Sequence, residues 1–227
     1  MFIDFHSHIL PAADHGSSNL ETSLKQVALA KEAGVELLIA TPHFYPRYDS
    51  AASFLQKRAE TAAALRKALP ADAPKLLVGG EIQLCRGLER MPELDQLCIE
   101  GTNVLLLELP ATFSIQHYEQ TLDALLYERK LQVVLAHIDR YNSSVIELLL
   151  DLGFRGQLNL DAFSSWRRKK QALEWAKSDC VVALGSDLHG VKTGYSKLPK
   201  AKKLLGQSFD EIMARTYGLL KQPAHKE

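Results

Sequence analysis

Histidines and carboxylates recur in this chain at a spacing that suits metal-assisted hydrolysis. The opening stretch Ile3-Asp4-Phe5-His6-Ser7-His8 carries two imidazoles two residues apart, so on a strand end both point the same way. Further along, His43, Glu81, Glu108, His137 and the pair Asp187 and His189 each follow a short apolar run. Imidazole with carboxylate suits zinc, iron or manganese, and bridging carboxylates admit more than one ion. These five histidines and three carboxylates exceed the three or four ligands that one catalytic ion takes from protein. Two or three ions are therefore expected. A lone strand-end histidine is more often a hydrogen-bonded turn or core residue. The argument for metal is the repetition at six separate strand ends.

The elements that must position these groups alternate in type. Near-continuous apolar runs at 2–5, 37–40, 76–78, 104–107, 133–136, 157–160 and 181–184 predict parallel strands covered on both faces. Helical patterns fill the gaps at 20–33, 51–69, 115–130, 143–152 and 166–177, with two more at 197–205 and 209–220. Repeated β-α units imply right-handed crossovers and a parallel sheet. Their number at this length favours an irregular barrel over an open doubly wound sheet. In such a barrel the carboxyl ends of all strands open onto one face, where catalytic groups gather. The polar tail from Lys221, with Pro223, is expected to fray.

Bulk properties narrow the classes. The chain of 227 residues is 46% apolar and 24% charged with zero formal net charge, as for an ordinary globular domain. One domain over 1–227 is expected, without linker or repeat. Neutral charge gives no support for nucleic acid as a partner. No run approaches the roughly 18 apolar residues of a membrane span, and the start lacks a signal-peptide pattern, so a cytoplasmic location is expected. Cys85, Cys98 and Cys180 are few and lack CxxC spacing, which argues against a disulfide framework or a thiolate zinc site. A thiolate phosphatase needs a cysteine in an anion loop that ends in arginine, and Arg86 follows Cys85 too closely to close one.

The runs IDFHSHILPAADHG, ATPHFYP, GGEI, LLLELP, LAHIDRY and GSDLHG, in that order, resemble the polymerase and histidinol phosphatase (PHP) superfamily. Within it they resemble the branch of manganese-dependent protein-tyrosine phosphatases from bacterial capsule and exopolysaccharide loci. The likeness runs from Met1 to about Leu220. It implies an α/β fold, a distorted (β/α)7 TIM-like barrel, and a cluster of three divalent ions. Manganese is favoured, with zinc, iron and magnesium as alternatives. Carried over residue by residue, the ligands are His6, His8, His43, Glu81, Glu108, His137, Asp187 and His189. The family also places an acid just before the glycine that follows HxH. Here the stretch reads Asp14-His15-Gly16, so His15 takes the aligned position and Asp14 is the neighbouring candidate.

The same resemblance implies a phosphate-binding role for Arg140, three residues after His137. Relatives carry a second arginine in the loop after Asp-x-His, where this chain has Gly194; Lys192 is the nearest substitute cation. The bland alternatives are a solvated loop lysine for Lys192 and a pair with Asp139 for Arg140. The expected reaction is phosphomonoester hydrolysis with metal-bound hydroxide as nucleophile. Arg140, Asp187 and His189 sit among the catalytic groups, and Asp187, His189 and Asp14 are alternatives for a general acid. The expected partner is a phosphotyrosine protein, in particular a bacterial tyrosine kinase of polysaccharide export; a homo-oligomer is left open. Phe44, Tyr45, Tyr48, Phe113, Tyr118 and Tyr141 follow strand ends and are candidates to line the mouth. Two other enzyme readings compete, a histidinol-phosphate-type phosphatase and an amidohydrolase-like hydrolase. A third reading is a binding protein with structural metal.

Overall fold

The computed structural model describes residues 1–192 and 194–221. Along them run β1 (Ile3–His8), α1 (Leu20–Glu32), β2 (Leu37–Ala40), β3 (His43–Phe44), α2 (Ala51–Ala68), β4 (Lys75–Val78), β5 (Glu81–Gln83), α3 (Leu94–Leu97), β6 (Val104–Glu108), α4 (Ile115–Asp123), β7 (Gln132–Leu135), α5 (Ser143–Asp151), β8 (Arg155–Asn159), α6 (Lys169–Trp175), β9 (Val181–Gly185), β10 (Leu188–His189), α7 (Leu198–Leu205) and α8 (Gln207–Leu220).

Every ladder is parallel. One sheet has the order β10-β1-β2-β4 and the other β3-β5-β6-β7-β8-β9. The two are continuous through the chain. After Thr41-Pro42, β2 runs on into β3, and after Gly79-Gly80, β4 runs on into β5. The Glu81 N–H donates to the Pro42 carbonyl at 3.0 Å, which keeps the two extensions side by side. Similarly β9 leads through Ser186-Asp187 into β10, which pairs with β1 at Ser7–Leu188 and His8–His189. The arrangement is the distorted TIM-like α/β fold that the alternating pattern predicts.

All seven expected strand runs form. Three two- or three-residue extensions, β3, β5 and β10, were not expected, and they carry His43, Glu81 and His189. Pro42, the Gly79-Gly80 pair and Ser186-Asp187 interrupt the apolar pattern before each one. The helices follow the expected segments, apart from the short α3, which was not expected, and two further differences. The 115–130 helix breaks after Asp123 into a π turn over Ala124–Glu128. The 166–177 helix starts only at Lys169, leaving Trp166 exposed ahead of it.

Local chemistry explains the helix starts. Asn19 Oδ1 accepts the Thr22 N–H at 2.9 Å, Ser50 Oγ accepts the Ser53 N–H at 3.2 Å, and Asn142 Oδ1 accepts the Ser144 N–H at 3.0 Å. Gly34, at φ 74°, closes α1 in the left-handed conformation that lacks a Cβ penalty. The core lies between strands and helices, with Phe2, Phe5, Phe44, Phe154 and Phe163 fully buried. The tail beyond Lys221, expected to fray, lies outside the described residues, as does Thr193 in the loop that carries Lys192.

Candidate metal centre

The carboxyl ends of the strands bring the expected ligands together. β1 supplies His6 and His8, β3 His43, β5 Glu81 and β6 Glu108; His137 follows β7, Asp187 follows β9 and β10 ends in His189. Register places them as neighbours: His43 opposite Glu81, His8 opposite His189, and Gln83 opposite Glu108. A register shift between Asp4 and Ser7 marks an irregularity in β1, of the kind that re-aims side chains near active sites.

Glu81 lies at the centre, buried. Its Oε2 is 3.2 Å from His6 Nε2, 3.3 Å from His8 Nε2 and 3.0 Å from His43 Nδ1, and its Oε1 is 2.7 Å from His137 Nε2. Asp187 Oδ1 stands 3.3 Å from His8 Nε2, 3.6 Å from His6 Nε2 and 3.4 Å from His189 Nδ1. Glu108 Oε1 is 3.8 Å from His137 Nε2. Three overlapping triads, His8-His43-His189, His6-His8-Asp187 and His43-Glu81-Glu108, each hold their donor atoms within 4.8 Å.

A cation fits this set on two counts. His43 Nδ1, Glu81 Oε2, Glu108 Oε2 and His189 Nε2 are buried and make no well-aligned hydrogen bond, although His43 Nδ1 and Glu81 Oε2 lie 3.0 Å apart, whereas buried polar atoms are normally satisfied. His137 and Asp187 also adopt positive φ, 32° and 50°, without being glycine. Such strain persists where function over-determines it.

The electrostatics agree. Burial favours a neutral Glu81, but the His6, His137 and His8 rings outweigh it and hold the carboxyl well below the usual range. Burial opposes charge on His8, yet Asp14, Asp187 and Glu81 raise it well above an ordinary histidine. His6 is raised as well, burial being outweighed by Glu81 and Asp187. At Asp187 burial is overcome by His6, His8 and Arg140, which hold it ionised. Burial and the Glu81 charge push Glu108 up to about 7, and burial lowers His43 to about 4.

Asp14 and His15 part company. Asp14 Oδ2 meets His8 Nδ1 at 2.7 Å and the His43 N–H at 2.9 Å, while Oδ1 accepts the Gly16 N–H at 2.8 Å. It thus stands behind His8 and turns Nε2 of that ring to the centre. His15 is exposed and stacks on His43 and His189 with centroids 4.8 and 4.7 Å away.

Arg140 pairs with Asp187, not with Asp139. Asp139 is taken instead by Arg168, at 2.6 Å, a partner that sequence reading missed. The Arg140 side chain is 46% exposed, and among the described residues its other N–H groups have no hydrogen-bond partner. Lys192 is exposed on its loop with no ion pair among the described residues. Of the aromatic residues, Phe44 belongs to the core against Phe54. Tyr118 is buried and stacks on Phe113. Tyr45 lies 5.1 Å from the His43 ring, Tyr141 lies 5.7 Å from the His137 ring, and Tyr48 is exposed.

Residues 2–223 match the family model described as capsular polysaccharide synthesis, CpsB/CapC. The chain belongs to the CpsB/CapC family. It is 25% identical to the tyrosine-protein phosphatase YwqE of Bacillus subtilis (strain 168), an alignment covering 97% of this chain and 94% of that one. Its fold is similar to one described among the crystal structures of YwqE from Bacillus subtilis and CpsB from Streptococcus pneumoniae, "unique metal-dependent tyrosine phosphatases". The TM-score is 0.82 at 22% identity, over 100% of this chain and 97% of that one. A TatD-like protein from Archaeoglobus fulgidus is similar at a TM-score of 0.57 and 14% identity, over 97% of this chain and 100% of that one. These likenesses extend the CpsB/CapC fold to a wider class of TIM-like barrels. They accord with the motif resemblance read from the sequence.

Proposed function

We propose that this CpsB/CapC family member is a metal-dependent phosphomonoester hydrolase, a protein-tyrosine phosphatase that regulates capsular or exopolysaccharide synthesis. The observation that carries this reading is the set of three overlapping His/carboxylate triads with Arg140 beside them on Asp187. The tyrosine phosphatase YwqE as a relative along nearly the whole chain supports the substrate class.

The ligands are His6, His8, His43, Glu81, Glu108, His137, Asp187 and His189, for three divalent ions. A donor set of imidazole and carboxylate without thiolate favours manganese or iron over softer metals, and manganese is our choice. Such ions lower the pKa of bound water and neutralise phosphoryl charge.

The chain's own groups do the rest. Arg140 has N–H donors without partners among the described residues, and its planar guanidinium suits two phosphoryl oxygens at once. Glu81 and Asp187 are held ionised at neutral pH and keep the centre anionic enough to retain cations. Asp14 and Asp187 are both below the usual carboxylate range, so neither holds a proton for the leaving group. A phenol, with a pKa near 10, leaves without one more readily than an alkyl alcohol does. Tyr45 and Tyr141, beside the metal-ligand rings, offer apolar faces to an aromatic substrate. Lys192, exposed on the loop that follows His189, is our choice of accessory cation.

The proposed partner is a tyrosine kinase of polysaccharide export, acting with a single-domain protein in the cytoplasm. No helix among the described residues is long and apolar enough to cross a membrane. The deciding experiment offers metal-stripped protein a phosphotyrosine peptide and histidinol phosphate, with and without added manganese. Manganese-dependent turnover of the peptide is expected. Preference for the small ester would change the substrate class, and turnover of neither would remove the phosphatase reading.

A further inference from the structure

Among the strands that surround the centre, β8 brings it neither an imidazole nor a carboxylate. It presents two amides instead, Gln157 and Asn159, two residues apart and both buried, at 0% and 1% exposure. A register shift against β9 falls at Gln157, where the strand bends beside the centre.

One backbone group sets the orientation of both amides. The His137 N–H can only donate, and it lies 2.7 Å from Gln157 Oε1. The oxygen of Gln157 therefore faces His137, and the same oxygen lies 3.1 Å from His6 Nδ1. An amide oxygen only accepts, so Nδ1 of His6 carries a proton and Nε2, which faces Glu81 and Asp187, is the nitrogen left for an ion. The other end of Gln157 follows. Its Nε2 donates to Asn159 Oδ1 at 2.8 Å, which fixes the Asn159 amide and sends Nδ2 to Asp187 Oδ2 at 3.0 Å. Asp187 Oδ1 is left to face His6 and His8. The Asn159 N–H donates to Asp139 Oδ1 at 3.0 Å, so the relay is anchored to the ion pair of Asp139 with Arg168. Gly185 lets β9 pass: a Cβ there would stand 2.6 Å from His6 Cβ and 2.8 Å from Gln157 Nε2.

We propose that Gln157 and Asn159 form a polarised amide relay of positioning residues, which fixes the nitrogen of His6 and the oxygen of Asp187 that face the ions. One buried side chain thus sets the tautomer of a ligand on β1, holds the backbone of a strained ligand after β7, and through its neighbour aims a carboxylate after β9. The inference rests on the metal reading of the centre. It adds that reading's missing second layer, since outer partners of this kind govern metal affinity as well as ligand geometry.

The test is a titration of metal-stripped protein with Mn²⁺ alone, read by calorimetry, for wild type, Gln157→Met and Gln157→Glu. The Met variant keeps the volume and loses both polar ends; the Glu variant keeps an acceptor for His6 and His137. Gln157→Met should bind manganese about 10–100-fold more weakly, while Gln157→Glu, which keeps the acceptor for His6 and His137 but loses the donor to Asn159, recovers part of the loss. The melting temperature of the metal-free forms is read alongside. A merely structural amide would lower that temperature and leave the affinity of the folded protein unchanged, and unchanged affinity in Gln157→Met overturns the proposal. Should that variant not fold, Asn159→Ala decides by the same titration: weaker binding supports the relay and wild-type binding overturns it. Failure of the wild type itself to bind manganese would instead overturn the metal reading, and the relay with it.

Discussion

His6 Nε2 and His8 Nε2 face each other at 3.0 Å, both residues fully buried. Two imidazole nitrogens share that distance without repulsion only when one carries a proton or when a cation takes both lone pairs. Without metal, the nearby carboxylates supply the first solution by favouring a proton shared by this pair of rings. Metal must therefore compete with protons for this pair.

The competition has a measurable consequence. Burial and the Glu81 charge push Glu108 up to about 7, and Asp14, Asp187 and Glu81 raise His8 well above an ordinary histidine. Metal binding requires both to be deprotonated, so the bound state holds fewer protons and affinity rises with pH. The rise should be evident from about pH 6 to about pH 8, around the Glu108 value, with proton release on the order of one per protein at pH 7. Manganese titrations in buffers of different ionisation enthalpy give the count. Binding with no proton release would contradict the protonated His6–His8 pair.

The same groups set the stability of the metal-free fold. Glu108 is raised from 4.5 to about 7, so its contribution is present below the unfolded value and is lost as pH rises through the folded one. His6 and His8, raised above 6.5, contribute stability that is complete below that value and lost above it. These three signs agree over the window, while His43, lowered to about 4, and His189, also lowered, run the other way only at its acid end, near their unfolded value of 6.5. Chelator-treated protein should melt at a lower temperature near pH 8 than near pH 6, and manganese should narrow or reverse the difference. A metal-free melting temperature that climbs across this window would refute the assignment.

Arg140 is held by Asp187 through one nitrogen and keeps further donors for an anion. Arg140→Ala should raise KM and the inhibition constant of inorganic phosphate by about tenfold or more, a charged hydrogen bond being worth about 1.5–3 kcal/mol. Arg140→Lys should recover part of this, because a point charge replaces the planar fork. If the alanine variant changes only thermal stability, Arg140 serves the fold through Asp187.

Thiol chemistry makes the opposite prediction to a cysteine phosphatase. Burial pushes Cys98 up to about 12, and burial raises Cys85 as well, so neither is a ready thiolate. Alkylation should leave activity intact, while a chelator abolishes it and manganese restores it. Inactivation by a thiol reagent with metal retained would return the cysteines to consideration.

The sequence made the ligands and most of the framework readable for one physical reason. Parallel strands buried on both faces read as apolar runs, so His6, Glu108 and Asp187 stand out where those runs end. The short extensions β3, β5 and β10 left no such trace, because Pro42, Gly79-Gly80 and Ser186-Asp187 break the pattern just before them. The relay was also missed, although Gln157 and Asn159 gave a signal. Two amides on one face of a buried strand are an exception to its apolar rule, and buried amides need partners. Arg168 had no legible signal, since its pairing with Asp139 depends on the turn of the chain after β8. Likewise the different stations of Asp14 and His15, adjacent in sequence, depend on the path of one loop.

That path is set at Gly16. A Cβ at this position would stand 2.2 Å from His8 Cβ and 2.5 Å from the His8 carbonyl oxygen, both parts of a buried strand with no room to yield. The close approach brings Asp14 within reach of His8 Nδ1 and the His43 N–H. Gly16→Ala should lift the loop from β1, separate Asp14 from His8 and free the His8 ring to turn. Manganese affinity should fall about 10–100-fold, as for loss of an outer partner. The overpacking should also cost about 2 kcal/mol, or about 4–8 °C in Tm for a chain of this size. Asp14→Asn separates the two effects, because it leaves the loop path in place and removes only the charge behind His8. A Gly16→Ala protein that keeps wild-type manganese affinity would show that Asp14 neither orients His8 nor binds an ion itself.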